Sequence, residues 1–396
     1  MLQTEGPDNP MAPNDIIYFD RAATSYLRPP EVAEAVAAAI RGFGSPGRGT
    51  YAPAVEASMA VHEARAAVAR LLGAPSPAAV SFTANATEAL NVAIAALLPD
   101  GGKAVTTAAS HNSVLRPLMR ARDLRGCTVE VAPVEPDGSL DADAYARLLD
   151  GADLVVATHA SNLTGDVYDV AAMTRLAHGA GARFVLDAAQ SAGALPVDMA
   201  ALGVDALCFT GHKALLGPQG TGGLCAADGL EVAPLLEGGT GTHSYELRQP
   251  LAMPDALEAG TLNAHGLAGL AAGVGYLLRE GVDALAARTR GLAERFDAGV
   301  RGLPGVRVYG RRDAAARGGI VALNVGDADS ATVSDLLARA FGICTRPGAH
   351  CAPLMHRALG TERQGAVRFS FSPFNTEDEV DAGIEALARI AAELAR

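Results

Sequence analysis

The amino-acid sequence predicts an α/β protein: a large domain on a mainly parallel seven-stranded sheet, followed by a small α+β domain. From residue 79 to residue 209, short apolar strands alternate with helical segments, a pattern typical of parallel strands covered by helices on both faces. The seventh strand, 223–226, follows a glycine-rich stretch and is expected to run antiparallel. After residue 281 a charged amphipathic helix opens a region in which this alternation stops.

The other elements have local signals of their own. Helices are predicted at 31–43 and at the alanine-rich stretch 55–72, on either side of a glycine-rich loop. A further helix is predicted at 86–98, and the first six strands of the sheet are predicted at 80–83, 104–107, 129–132, 154–158, 184–187 and 206–209. The small domain should hold helices at 282–303 and 330–341, strands at 306–309, 320–324 and 367–371, and a last helix that opens with a capping box at Thr376 to Glu379.

Length and composition bound the class of protein. A chain of 396 residues suggests two domains, for which we expect the boundaries 31–270 and 271–396, with a segment 1–30 that packs on the small domain. Residues 1–15 lack the features of a secretion signal, and 264–278 is too short and glycine-interrupted for a membrane span, so we expect it to be a buried helix. The net charge of −12, with no run of basic residues, argues against nucleic acid or a membrane as partner. Five scattered cysteines indicate reduced thiols in a cytoplasmic protein, and we predict no metal site.

The most informative residues follow two neighbouring strands. Asp187 ends the strand 184–187, and Lys213 lies just beyond the strand 206–209. Because ligands gather at the carboxyl ends of strands in an α/β sheet, one site would receive a carboxylate and an amine. This pair suits pyridoxal 5'-phosphate, with Lys213 in the Schiff base and Asp187 on the pyridine nitrogen. The alternative is a buried Asp–Lys ion pair.

Residues near other strand ends are candidates for the rest of a cofactor site. The helix that begins near Ala86 and Thr87 offers backbone N–H groups to a phosphate, although Asn85 with Glu88 also forms an ordinary helix cap. Further candidates are Thr210 and His212 for the phosphate, His111 for stacking on the ring and for proton transfer, and Asn162 and Gln190 for the phenolic oxygen or the substrate.

Taken together, these motifs give the chain a resemblance to the class V aminotransferase-like enzymes of fold type I, and among them to the cysteine desulfurases. The resemblance spans nearly the whole chain, and its motifs are specific in combination: Asn-Ala-Thr-Glu-Ala-Leu-Asn from Asn85, Ser-Asn-Leu-Thr-Gly from Ser161, Asp-Ala-Ala-Gln from Asp187, Thr-Gly-His-Lys from Thr210 and Glu-Ala-Gly-Thr from Glu258. It implies the cofactor roles given above, with Thr87, Thr210 and His212 at the phosphate and Gln190 at the phenolic oxygen. It also implies a homodimer in which residues near Thr242 reach the neighbouring subunit's phosphate.

Two more residues take their roles from the resemblance. Arg368 matches the arginine that binds the substrate α-carboxylate, and Cys351 matches the nucleophile of the short-loop, selenocysteine lyase-like subgroup. The implied reaction converts L-cysteine to L-alanine, leaves the sulfur on Cys351 as a persulfide and then passes it to an acceptor protein. L-selenocysteine as substrate, or C–S lyase or aminotransferase activity, are the alternatives. The chain departs from the usual pattern at Ala349, where a histidine is common, and at Arg21, where asparagine or a small polar residue is common.

Overall fold

The computed structural model describes residues 16–395, so the expectations for residues 1–15 lie outside the described residues. The strands of this part of the chain are β1 (Ile17–Tyr18), β2 (Val80–Thr83), β3 (Lys103–Thr107), β4 (Thr128–Ala132), β5 (Leu154–Thr158), β6 (Arg183–Asp187), β7 (Ala206–Thr210), β8 (Gly222–Ala226), β9 (Val306–Tyr309), β10 (Ile320–Val325), β11 (Ile343–Cys344) and β12 (Val367–Ser370). Its α-helices are α1 (Pro30–Gly42), α2 (Ala52–Leu72), α3 (Ala86–Leu97), α4 (Asn112–Arg125), α5 (Ala142–Leu148), α6 (Val170–Gly179), α7 (Met199–Leu202), α8 (Ala264–Glu280), α9 (Val282–Arg301), α10 (Ser330–Phe341), α11 (Pro353–Leu359) and α12 (Glu377–Leu394).

The central sheet has seven strands in the order β2-β8-β7-β6-β5-β3-β4. The strands β3 to β7 pair in parallel, whereas β8 runs antiparallel to both β2 and β7. Successive residues of β5 contribute to two different cores, Val155 to one and Val156 to the other, because side chains alternate between the faces of a strand. The predicted fold class and the antiparallel seventh strand are confirmed.

The carboxy-terminal region packs helices against a small antiparallel sheet of order β12-β10-β9. Its core contains the aromatic side chains of Phe296, Phe369 and Phe371, and Phe19 from the amino-terminal segment packs among them. Next to Phe19, β1 pairs in parallel with β11. The capping box at Thr376 is confirmed, since its side chain accepts the N–H of Glu379. The domain boundaries given above stay a prediction.

The segment 264–278 forms helix α8, which packs against α1 and α2. One of its faces, including Leu267, Leu270 and Val274, is buried in the core of the central sheet. Within residues 16–395, no helix is long and apolar enough to cross a membrane. The short strands β1 and β11 were not predicted, since two residues of extended chain carry no periodic signal of their own.

A buried ion pair joins the second helix to the segment before α8. Arg65 and Glu258 form two hydrogen bonds of 2.7 and 2.8 Å, and each residue is 7% exposed. Glu258 also accepts the N–H of Phe82 at 2.7 Å, and Arg65 also donates to the carbonyl of Val80. The Glu258 motif therefore stabilises β2 through hydrogen bonds to the backbone of that strand.

We expect Glu258→Gln to lower the free energy of unfolding by about 3–5 kcal/mol, because it leaves the Arg65 charge buried without a counter-charge. Urea denaturation of the variant and the wild type measures this loss. The matched control is Glu31→Gln, which removes a carboxylate from an exposed pair with Arg279 and should leave stability nearly unchanged. Equal stability of the two variants would contradict the assignment of a supporting role to the buried pair.

Candidate active site

A cleft of about 470 Å³ lies at the carboxyl ends of the parallel strands. Nine of the residues predicted to bind the cofactor line it, namely Ala86, Thr87, His111, Asn162, Asp187, Gln190, Thr210, His212 and Lys213. The lining also includes residues that were not predicted, namely Asn85, Ser113, Thr158 and Ala189. The strand ends thus bring together residues that are up to 128 positions apart in the sequence, from Asn85 to Lys213. 

Asp187 and Lys213 set the electrostatics of this cleft. Asp187 is 3% exposed, and its carboxylate accepts one hydrogen bond from the described residues, from the N–H of Ala189 at 3.0 Å. Burial raises the pKa of Asp187, against the opposing effects of that N–H and of Lys213. Burial lowers the pKa of Lys213 to about 8, while Asp187 favours its charged form. A substantial fraction of Lys213 is therefore neutral near pH 8, as an amine nucleophile requires.

The helix α3 presents free donors at the same cleft. Asn85 caps the helix by accepting the N–H of Glu88 at 3.0 Å, and Glu88 accepts the N–H of Ala84 at 2.7 Å. The cap therefore leaves the N–H groups of Ala86 and Thr87 without a partner among the described residues. The ordinary helix cap and the proposed anion site coexist, because they use different N–H groups.

Thr210 supplies a further unused polar group. Its hydroxyl oxygen is buried and has no hydrogen-bond partner within the described residues. A buried hydroxyl without a partner is costly, so it points to a polar ligand in the cleft. His212 lies beside it and holds Thr24, with 3.1 Å between Nδ1 and the hydroxyl oxygen.

His111 precedes helix α4 and acts as its cap. Its Nδ1 accepts the N–H of Ser113 at 3.0 Å, which assigns the ring proton to Nε2. Burial and the nearby charges of Lys213, Arg368 and Arg116 lower the pKa of His111 to about 4. The ring is thus a neutral, oriented imidazole at pH 7, suited to stack on an aromatic ligand.

The loop that carries Cys351 is held at two carbonyl groups. Asn162 Nδ2 donates to the carbonyl of His350 at 2.7 Å, and the N–H of Asn112 donates to that of Cys351 at 2.8 Å. Both His350 and Cys351 have left-handed backbone angles, φ +51° and +53°, which cost a residue with a side chain about 1–2 kcal/mol each. Cys351 is exposed, whereas the other four cysteines are buried or half-buried.

Arg368 connects this loop to the amino-terminal segment. It is 3% exposed, and it donates to the carbonyl of Asn162 at 2.8 Å and to Asp20 at 3.1 Å. Its Nε is buried without a partner among the described residues, which leaves a donor for a carboxylate. Asp20, which also pairs with Arg346 at 2.8 Å, was missed by the sequence analysis; its only sequence signal is an acidic residue after a short apolar run.

Two predicted residues have other contacts in this structure. Gln190 Nε2 donates to the carbonyl of Ala22 at 3.0 Å, so its amide is oriented by the amino-terminal segment. Thr242 does not line the cleft; it lies on an exposed loop, where its hydroxyl donates to Asp255 at 2.7 Å. Its predicted contact with a neighbouring subunit stays a prediction.

The histidines around the cleft make stability depend on pH. Burial lowers the pKa of His111, His159 and His212 to about 4 and that of His350 to about 3. Between the ordinary histidine pKa of about 6.5 and these values, the unfolded chain binds more protons than the folded one. We therefore expect their contribution to the free energy of unfolding to be fully present above pH 6.5 and lost as the pH falls towards 4.

Urea denaturation between pH 7 and pH 5 measures this slope. The variant His159→Gln should flatten it, because this ring is 6% exposed, whereas the control His62→Gln removes an exposed ring and should not. An identical slope in all three proteins would contradict the assignment.

Comparison with known proteins identifies the family. A family model described as "Aminotransferase class-V" matches residues 17–382. The chain belongs to this family. It is 36% identical over 391 residues to a probable cysteine desulfurase of Methanothermobacter thermautotrophicus, with 95% of each chain covered. Class V aminotransferases of this kind depend on pyridoxal 5'-phosphate, so the predicted family and cofactor are confirmed.

Solved structures show the same fold. The apo cysteine desulfurase of Thermococcus onnurineus NA1 superposes with a TM-score of 0.91 at 33% identity, covering 96% of each chain. The cysteine desulfurase CsdA of Escherichia coli, in an S-sulfonic acid form, superposes with a TM-score of 0.87 at 29% identity and covers 99% of this chain and 98% of its own. Both similarities extend over the central sheet and the small domain.

The donors and charges of the cleft fit the cofactor. The Thr210 hydroxyl and the N–H groups of Ala86 and Thr87, which have no partner among residues 16–395, suit its phosphate. The buried Asp187 carboxylate suits a protonated ring nitrogen, whose charge and N–H would compensate for the hydration that burial removes.

Proposed function

We propose that this enzyme is a cysteine desulfurase that converts L-cysteine to L-alanine and takes up the sulfur on Cys351. The observation that carries the proposal is the connection of the exposed Cys351 to the cofactor cleft through Asn162, whose side chain holds the Cys351 loop and whose carbonyl holds Arg368. The substrate's α-carboxylate would bind at the Nε of Arg368, which has no partner in the described part of the chain. The full-length relatives named as cysteine desulfurases support the same activity.

Each of the nine predicted residues that line the cleft has a proposed role. Lys213 attaches the cofactor and moves the proton at the substrate Cα, and Asp187 keeps the ring nitrogen protonated. The N–H groups of Ala86 and Thr87, with Thr210 and His212, hold the phosphate; His111 stacks on the ring, and Gln190 or Asn162 binds its phenolic oxygen. When bound, the cofactor accepts the electrons of the Cα–H bond, and that is the chemistry the protein itself lacks.

Sulfur transfer uses the Cys351 thiolate. It attacks the substrate sulfur, so that an S–S bond forms while the Cβ–S bond breaks, and the electron pair of that bond ends as a new C–H bond of alanine. The balance is L-cysteine plus the Cys351 thiol giving L-alanine plus the Cys351 persulfide. The persulfide then passes to an acceptor protein, or to an added thiol that reduces it and releases sulfide.

The assembly and location belong to the proposal as well. A homodimer would place the exposed loop with Thr242 near a second subunit's phosphate, and the exposed apolar side chains of Tyr245, Leu247 and Leu251 on that loop favour a protein contact. Five unpaired cysteines favour the cytoplasm.

Anaerobic turnover of the purified, cofactor-loaded protein tests the activity. With L-cysteine and dithiothreitol, we expect alanine and sulfide in equal amounts. Pyruvate and ammonia would instead indicate a C–S lyase, and a keto acid without sulfide would indicate an aminotransferase. Alanine formed from L-selenocysteine but not from L-cysteine would indicate a selenocysteine lyase.

A further inference from the structure

The guanidinium of Arg21 is buried without a counter-charge from the described residues. Arg21 is 9% exposed, and its only side-chain hydrogen bond within residues 16–395 is a long one, 3.4 Å from Nη1 to the carbonyl of Phe371. Its Nε is buried and has no partner among those residues. On one side it borders apolar groups that include Leu277 and Leu285.

The other buried arginines of the described chain are each paired with a carboxylate. Arg65 pairs with Glu258 at 2.7 Å, Arg317 with Asp297 at 3.4 Å and Arg368 with Asp20 at 3.1 Å. For Arg21 the described residues supply no carboxylate within 4.0 Å. Burial lowers its pKa only to about 10, so the charge persists at neutral pH. A buried charge of this kind is costly unless a ligand compensates it.

Arg21 also borders a cavity that adjoins the cofactor cleft. The cavity is lined by Arg21, Ala22, Gln190, Lys213, Gly319 and Phe371 among others. Gln190 and Lys213 line the cofactor cleft as well. The cavity is therefore next to the reacting amine, and Arg368 is not among the described residues that line it.

We propose that Arg21 and this cavity form a second anion site, which takes a carboxylate-sized group. The group either belongs to the side chain of an acidic amino acid bound at Lys213 or is a small free anion. Only the first source rests on the proposed function, since it requires an amino-acid substrate. The site is separate from the α-carboxylate position proposed at Arg368.

The test uses the cofactor-loaded wild type, Arg21→Gln, the charge-conserving Arg21→Lys and, as a control, Arg122→Gln, which removes an exposed arginine. Thermal unfolding is followed in a chloride-free buffer with formate as the free probe. We expect formate to raise the Tm of the wild type and of the control, and not that of Arg21→Gln. Without formate, Arg21→Gln should be at least as stable as the wild type, because it removes an uncompensated buried charge.

Calorimetric binding of L-aspartate and L-asparagine tests the second source. A charge-assisted hydrogen bond to the side-chain acid should favour L-aspartate about tenfold or more in the wild type, and the preference should vanish in Arg21→Gln. A formate effect supports a free-anion site even if L-cysteine is not turned over. An aspartate preference alone supports the substrate-borne group. The proposal would be overturned if the wild type showed neither effect, or if every effect that the wild type shows persisted undiminished in Arg21→Gln.

Discussion

Lys213→Ala should abolish turnover of L-cysteine, lowering kcat by about four orders of magnitude or more, because it removes the residue that we propose both attaches the cofactor and moves the Cα proton. The variant should also lose the visible absorbance of bound cofactor while keeping its fold. Absorbance spectra, alanine formation and circular dichroism measure the three properties on the same preparation.

The chain offers an unusually clean control for this experiment, since Lys103 is its only other lysine. Lys103 lies at the start of β3 and donates to the carbonyl of Asp150 at 2.7 Å, outside the cleft. Borohydride reduction and peptide mass spectrometry should therefore find the cofactor on Lys213 alone, and Lys103→Ala should keep both colour and activity. A coloured, active Lys213→Ala protein would refute the assignment.

The sequence predicted those parts of the site that follow strands directly. Asp187 and Thr210 end β6 and β7, and their neighbours in the sheet are fixed by the parallel pairing, so local patterns sufficed to bring them to one edge. The start of helix α3 was equally predictable from the sequence, because its cap and the N–H groups that the cap leaves free lie within four consecutive residues.

Contacts between distant segments were not predictable in the same way. The hydrogen bond between Arg368 and Asp20 joins residues 348 positions apart, and it depends on how the amino-terminal segment packs on the small domain. No periodic pattern encodes that packing. The same limit applies to Asn162, which the sequence offered as a ligand and which in the structure also holds the carbonyl of His350.

The backbone of the Cys351 loop gives a physical reason for its position. Two adjacent side-chain-bearing residues in left-handed conformation are strained, and they are retained only where the surroundings fix them. Here the fixing groups are Asn162 and the N–H of Asn112, both at the edge of the cofactor cleft. These hydrogen bonds hold the thiol exposed beside the cleft at the cost of the backbone strain.

Cys351→Ala should therefore stop sulfur transfer without affecting cofactor binding. Formation of sulfide and alanine should fall by about three orders of magnitude. The visible absorbance should equal that of the wild type, because Cys351 is not among the described residues that line the cofactor cleft. The matched control is Cys344→Ala, which removes a half-buried thiol and should keep full activity.

Mass spectrometry of wild type treated with L-cysteine and then alkylated should find one extra sulfur atom on Cys351 and none on the four less accessible cysteines. If Cys351→Ala kept full activity on L-cysteine, the thiolate would not be the acceptor, and the selenocysteine lyase or C–S lyase alternative would account better for the same cleft.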